Sequence, residues 1–401
     1  MKRLLVLGAG NAQLNLIKES KKLGYYTIVC DIRPEMEGSK IADKYYQTDY
    51  MNLSEVYEIA LKERIDGVVS NSEPAMVNVA WIANQLQLVG NRVECIETLV
   101  SKSQFREFQK RIGLYSPEQH ATDSIDELME IAKSFDYPVI IKPTESTGTQ
   151  GTSKIDVFDE EAIRETFDRC RSFSRNGQVS IEKFVPMSSL RVIECDVFVY
   201  KDTFLWEGMI STYRSESAPM VPMTYIYPTD VSNERIEIAT RIIKRALKEA
   251  GVIFGEYNVE AYFTPEDELF IIEINPRQGG NRIPEIIEAY SGINYTRLLV
   301  SLAVGDEDYL NSLNHFERSR IPYIVHVIYS KKTGVFKQLS ISKTIEKSVV
   351  DIETFVKKGQ HIYSPRNLFD AIGRCVLRFD DIKEQGDCLC NIESLIHAEV
   401  E

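Results

Sequence analysis

Short apolar runs alternate with segments of helical period through the first hundred residues. Residues 4–7, 27–30 and 67–70 read as buried strands, and 12–23, 54–62 and 77–86 as helices. Strand–helix alternation builds a parallel sheet with helices on its faces, which predicts a Rossmann-like α/β domain over residues 1–100. From Ser101 the rhythm changes. Helices are predicted at 104–112, 126–134 and 160–170, and strands at 138–142 and 179–185, with a Ser/Thr/Gly loop over 144–153. Residues 191–209 alternate like antiparallel strands, and 234–250 is a long amphipathic helix. Residues 257–263 and 269–275 read as a hairpin, and the chain beyond Gly305 is β-rich, with strands at 323–329 and 375–379.

The hairpin carries the strongest chemical signal. Its second strand reads Phe270-Ile271-Ile272-Glu273-Ile274-Asn275-Pro276-Arg277. Strict alternation puts Ile271, Glu273 and Asn275 on one face and Phe270, Ile272 and Ile274 on the other. If the loop is the four residues 265–268, Glu260 lies directly opposite Glu273; a five-residue loop misaligns them. Two facing carboxylates repel, costing up to ~1 kcal/mol even on an exposed sheet. A divalent cation between them removes that cost, and oxygen ligands on a rigid strand suit Mg²⁺. Arg277 and the glycines at 279 and 280 follow, a planar cation beside a permissive loop.

This strand signature (Glu, one residue, Asn, Pro, Arg) resembles that of the ATP-grasp superfamily, and the resemblance runs from Met1 to about Gly305. It implies a two-lobed ATP-grasp domain of α+β character over residues 101–305, its small lobe at about 115–185, and a β-rich C-terminal region over 306–401. It implies Mg-ATP as cofactor, with one or two Mg²⁺ ions (or Mn²⁺) on Glu260, Glu273 and Asn275, and Arg277 stabilising the transferred phosphoryl group. Lys142, ending an apolar strand, matches the lysine that contacts the α- and β-phosphates, and Lys102 an earlier ATP lysine. Gly148 and Gly151 let backbone N–H groups approach the β- and γ-phosphates. Glu182, Phe184 and Val185 resemble the hinge that reads adenine, and Glu194 is the candidate for the ribose. Arg214, Arg282, Glu285 and Glu73 are candidates for the second substrate. The implied activity is an ADP-forming ligase that activates a small-molecule carboxylate as an acyl phosphate and joins it to an amine or other nucleophile. L-amino-acid ligases are the preferred comparison, and biotin-type or carboxyaminoimidazole-type carboxylases, or a carbamoyl-phosphate-synthase-like enzyme, the alternative. A homodimer is usual in such families.

Two further classes stay open at this level. Gly8-Ala9-Gly10 after the first strand and Asp31 ending the second partly satisfy a dinucleotide fingerprint, although Gln13 replaces the third glycine. That would make an NAD-dependent dehydrogenase. A nucleotide sensor without catalysis would keep the same motifs. Composition narrows the field. A net charge of −13 opposes a nucleic-acid partner, and no apolar run approaches the ~20 residues of a membrane span. Seven scattered cysteines fit reduced thiols of a cytoplasmic protein better than a disulfide framework.

Overall fold

The computed structural model describes residues 1–146, 150–215, 218–313, 320–365 and 367–401. At the N-terminus, β1 (Arg3–Leu7), β2 (Tyr26–Asp31), β3 (Lys44–Gln47) and β4 (Gly67–Val69) form a parallel sheet in the order β3-β2-β1-β4. The two-residue period of a strand is visible in the cores it feeds. Leu4 and Val6 pack with Leu16 and Ile17 of the helix Asn11–Lys22, whereas Leu5 and Leu7 pack with Val56, Ile59 and Ile82 on the other face. The first face is completed from far away in sequence by the helix Tyr295–Ala303, whose Leu298, Leu299 and Leu302 join the same cluster.

Next come β5 (Gln119–Thr122), β6 (Val139–Pro143), β7 (Ser153–Ile155) and β8 (Val179–Lys183), an antiparallel sheet in the order β5-β8-β6-β7. The helices Ile125–Ser134 and Glu160–Phe173 cover it, each begun by a side-chain cap, Ser124 and Asp159. This is the small lobe.

The large sheet holds β9 (Arg191–Tyr200), β10 (Thr203–Leu205), β11 (Ile210–Ser215), β12 (Ala218–Tyr227), β13 (Phe254–Phe263), β14 (Leu269–Asn275) and β15 (Tyr323–Ile328). After β16 (Gly334–Ile341), it also takes in β17 (Val349–Thr354) and, beyond β18 (His361–Ile362), β19 (Gly373–Arg378). Its order is β14-β13-β9-β11-β12-β15-β19-β17, with β10 against β9. β16 pairs instead with β18 and with β20 (Ile396–Val400). The β-rich chain beyond residue 305 therefore continues the sheet that carries the candidate metal strand. Of the stretch 211–228, which shows no clear period in sequence, residues 211–215 lie in β11 and 218–227 form β12.

The hairpin corrects the sequence reading. Phe263 pairs with Leu269 and Tyr262 with Phe270, so the loop is the five residues 264–268. A β-bulge between β13 residues Glu260 and Ala261 and their partners then restores Glu260 opposite Glu273. The extra residue is Ile272, and it breaks alternation locally. Ile271 and Ile274 both enter the core beneath, while Phe270, Ile272 and Glu273 all face the other way, into the cleft described next. Ile271 thus does not share a face with Glu273.

Candidate active site

A cleft of about 980 Å³ runs between the small lobe, the large sheet and the N-terminal domain. That is the upper end of what one small-molecule site occupies. Lys102, Lys142, Glu182, Phe184, Val185, Glu194, Arg214, Glu260, Glu273, Arg277, Arg282, Glu285 and Glu73 all line it. One cavity gathers residues drawn from four parts of the chain.

At its inner end the wall is apolar. Val185, Val192, Tyr262 and Phe270 cluster there with Met187 and Ile272, and the Tyr262 and Phe270 rings meet edge to face. Beside them Lys142 Nζ donates to Glu182 Oε1 at 2.5 Å, and Arg106 Nε donates to Glu182 Oε2 at 3.2 Å. Both partners are buried. Burial pulls the Lys142 ammonium down to about 8 despite Glu182, while the two cations hold Glu182 below the usual carboxylate range against its own burial. The Glu182 carboxylate is thus engaged by two cations. Sequence reasoning missed Arg106, which looks like any helical arginine until its burial is known.

The middle of the cleft holds a row of carboxylates. Glu194 on β9 pairs with Glu260 on β13, which pairs with Glu273 on β14. Burial, then the charge of Glu273, pushes Glu260 up to about 7; burial and Glu260 push Glu194 up to about 8. Glu273 stays below its ordinary value because Lys102 (Nζ at 3.9 Å), the Asn275 amide (2.9 Å) and Arg277 outweigh burial. Lys102 also donates to the Ser146 carbonyl at 2.9 Å, next to the glycine loop. Arg214 reaches Glu260 at 3.4 Å, on the carboxylate row and not apart from it. Glu194 accepts from Thr212 Oγ1 at 2.9 Å and Asn258 Nδ2 at 3.1 Å, which ties it to the row.

Among the described residues no three acidic, histidine or cysteine side chains converge as a ready-made metal cluster. The donor set still fits Mg²⁺, which is bound through one or two carboxylates plus substrate phosphates and keeps several waters. Two facing carboxylates, Glu260 and Glu273, and the amide of Asn275, whose Nδ2 bonds Glu273 Oε1 at 2.9 Å, are that set. Gly151 takes φ +76° and packs on Pro143 and Phe173, and its neighbour Thr152 lines the cleft in its place. Gly148 lies outside the described residues.

The same cleft is also lined by Glu73, Arg277, Arg282 and Glu285. Glu73 is buried there, its closest cation the Arg277 guanidinium at 3.8 Å, and burial raises its carboxyl. Arg282 bonds Asp351 at 2.6 Å, and Glu285 accepts from Asn15 at 3.3 Å. Arg374 and Phe369 reach in from the C-terminal region. The first βα turn also lines the cleft, but it does not suit a dinucleotide. Asp31 is consumed by Arg33 (2.9 and 2.8 Å) and the Ala9 N–H (2.8 Å), and Gln13 fills the space over Gly8.

A cleft of this size between lobes, lined by Lys102, Lys142 and a row of three carboxylates, is the setting of an ATP-grasp protein. Residues 101–307 match the family model of the carbamoyl-phosphate synthase L chain, ATP binding domain, and the chain belongs to that family of ATP-grasp carboxylate–amine ligases. The carbamoyl phosphate synthase large chain, C-terminal section, of Aquifex aeolicus (strain VF5) is 25% identical over 331 residues, covering 76% of this chain and 58% of that protein. The large chain of Clostridium beijerinckii is 24% identical over 320 residues, 76% of this chain and 29% of that one. The chain thus spans only part of these relatives. Of solved structures, L-amino acid ligase from Bacillus licheniformis superposes with a TM-score of 0.81 at 16% identity, covering 100% of this chain and 99% of that one. Phosphoribosylglycinamide synthetase from Anaerococcus prevotii gives 0.71 at 25% identity, with both chains covered fully. No helix among the described residues is long and apolar enough to cross a membrane.

Proposed function

We infer that the chain uses ATP to activate a carboxylate as an acyl phosphate and ligates it to an amine, with amino acids as the substrate class. The observation that carries this reading is the carboxylate row of Glu194, Glu260 and Glu273 lining one cleft together with Lys102, Lys142, Arg277 and Glu73. Adenine suits the wall of Tyr262, Phe270 and Ile272, and Lys102 and Lys142 neutralise phosphate charge. Mg²⁺ on Glu260, Glu273 and Asn275 would draw charge from the phosphates. Arg277 orients the carboxylate, whose oxygen bonds the γ-phosphorus as ADP leaves. The amine nitrogen then bonds the acyl carbon, the C–O bond to phosphate breaks, and phosphate and a proton depart. Glu73, Arg282 and Glu285 face that second substrate. The likeness to an L-amino acid ligase over the full chain favours amino acids. Carbamoyl phosphate synthase relatives and the biotin carboxylase fold keep bicarbonate as the competing acceptor.

The test is ATP-dependent phosphate release with pairs of amino acids, with bicarbonate, and with neither. Release that needs amino acids but not bicarbonate is expected, and Glu273→Ala should lower it by ~10²-fold or more without changing the melting temperature by more than a few degrees. Nucleotide binding without ADP release under any condition would point to a sensor instead.

A further inference from the structure

The bulge at Ile272 is held from outside the sheet. β14 is the edge strand, and the helix Lys102–Arg111 lies along it. Gln109 Nε2 donates to the Ile271 carbonyl at 3.0 Å, and Arg106 Nη1 reaches the same oxygen at 3.4 Å. Gln109 Oε1 in turn accepts from Arg106 Nη1 at 2.8 Å. Gln109 and Arg106 are almost wholly buried, an expensive place for an amide and a guanidinium; Gln109 is bonded through both its oxygen and its nitrogen, and Arg106 through Nε and Nη1 but not Nη2. The Arg106 guanidinium lies 4.7 Å from the centre of the Phe270 ring, and its Nε bonds Glu182. One pair of side chains therefore grips the carbonyl beside the bulge, the aromatic ring of the cleft wall, and the carboxylate that pairs with Lys142.

The same strand has a second arrangement open to it. With a four-residue loop and no bulge, Glu260 still faces Glu273, but Phe270 and Ile272 turn into the core and Ile271 takes their place in the cleft. Both arrangements bury apolar residues beneath the sheet, so hydrophobic pattern alone discriminates weakly between them. We propose that Gln109 and Arg106 are positioning residues that select the bulged register of β14, and so build the apolar nucleotide wall beside the carboxylate row. The proposal rests on the nucleotide reading given above. It separates the two ends of the ligand: loss of the grip removes Phe270 and Ile272 from the adenine end while leaving Glu273, Lys102 and the phosphate end in place.

Calorimetric binding of Mg·AMPPNP and of magnesium tripolyphosphate, which lacks adenine and ribose, distinguishes these ends. Gln109→Met keeps the volume and removes the donor; it should weaken AMPPNP tenfold or more and tripolyphosphate no more than twofold. Gln109→Asn, a shorter donor that keeps the site polar and guards against a failure of the methionine variant to fold, should fall between. Arg106→Lys, which keeps a charge toward Glu182 without the fork, should show the same split. Unchanged AMPPNP affinity in Gln109→Met overturns the proposal, and so does an equal loss for both ligands, which would mean general loosening. Failure of the unsubstituted protein to bind Mg·AMPPNP would instead overturn the nucleotide reading beneath it.

Discussion

Glu182, Glu260 and Glu273 carry the same functional group and end in two electrostatic states, because each meets a different balance of burial and charge. Glu182 is held ionised by two cations, Glu273 by Lys102, Asn275 and Arg277, while Glu260, beside Glu273, is driven up to about 7. No spacing rule in the chain encodes that balance. His326 shows the same dependence away from the cleft. It is buried on β15 with Nδ1 2.9 Å from Thr224 Oγ1, and burial lowers it to about 4 from its ordinary 6.5. A depressed histidine folds neutral, so its contribution is fully present above pH 6.5 and is lost as the pH falls toward 4. Denaturant unfolding should therefore lose up to about 3 kcal/mol over that window on account of this residue. His326→Gln should be less stable at pH 7 yet lose less stability on acidification. Parallel stability curves for the two proteins between pH 6.5 and 4 would refute the assignment.

Individual elements are limited by how closely they must approach. Gly67 on β4 runs under the C-terminal end of the helix Tyr295–Ala303, and a Cβ there would stand 2.4 Å from the Ala303 carbonyl oxygen. Since backbone cannot yield as a flexible side chain does, Gly67→Ala should destabilise the protein by about 1–3 kcal/mol. The urea midpoint measures it, and no change would mean that the helix shifts freely. The β13–β14 hairpin illustrates the opposite case. Sequence placed Glu260 against Glu273 correctly but by way of the wrong loop, because a bulge and a longer loop compensate each other. The elements themselves were largely legible: residues 4–7 and 27–30 lie in the two central parallel strands and 67–69 form an edge strand, as apolar runs suggest. β11 and β12 were not, since Thr212, Tyr213, Thr224 and Tyr225 mix polar and aromatic groups on both faces of a strand lining a cleft.

For the molecule as a whole, strands from beyond residue 305 complete structures begun earlier. β15 pairs with β12, and Val325, Val327 and Val376 join a core that also contains Leu4, Val6 and Tyr225. A chain ended at residue 305 would leave the β12 edge unpaired and that core open to water. It should be recovered mainly as aggregate, or show no cooperative thermal transition by calorimetry; a soluble truncated chain with a sharp transition would show the C-terminal strands to be dispensable. The same integration explains why Arg374 and Phe369 escaped notice as cleft residues. Nothing local marks an arginine and a phenylalanine a hundred residues past the metal strand, and only the sheet order carries them there.

Local chemistry was enough to announce an ATP-grasp chain: a Glu-Ile-Asn-Pro-Arg strand, an apolar strand ending in lysine, and strand–helix alternation are short-range patterns governed by period and turn chemistry. Folding in three dimensions alone determined which of two registers β14 adopts, which carboxylates keep their charge, and that Arg106 and Gln109 reach the bulge from another element. Those outcomes depend on burial and on side chains distant in sequence, and a linear pattern holds no record of either.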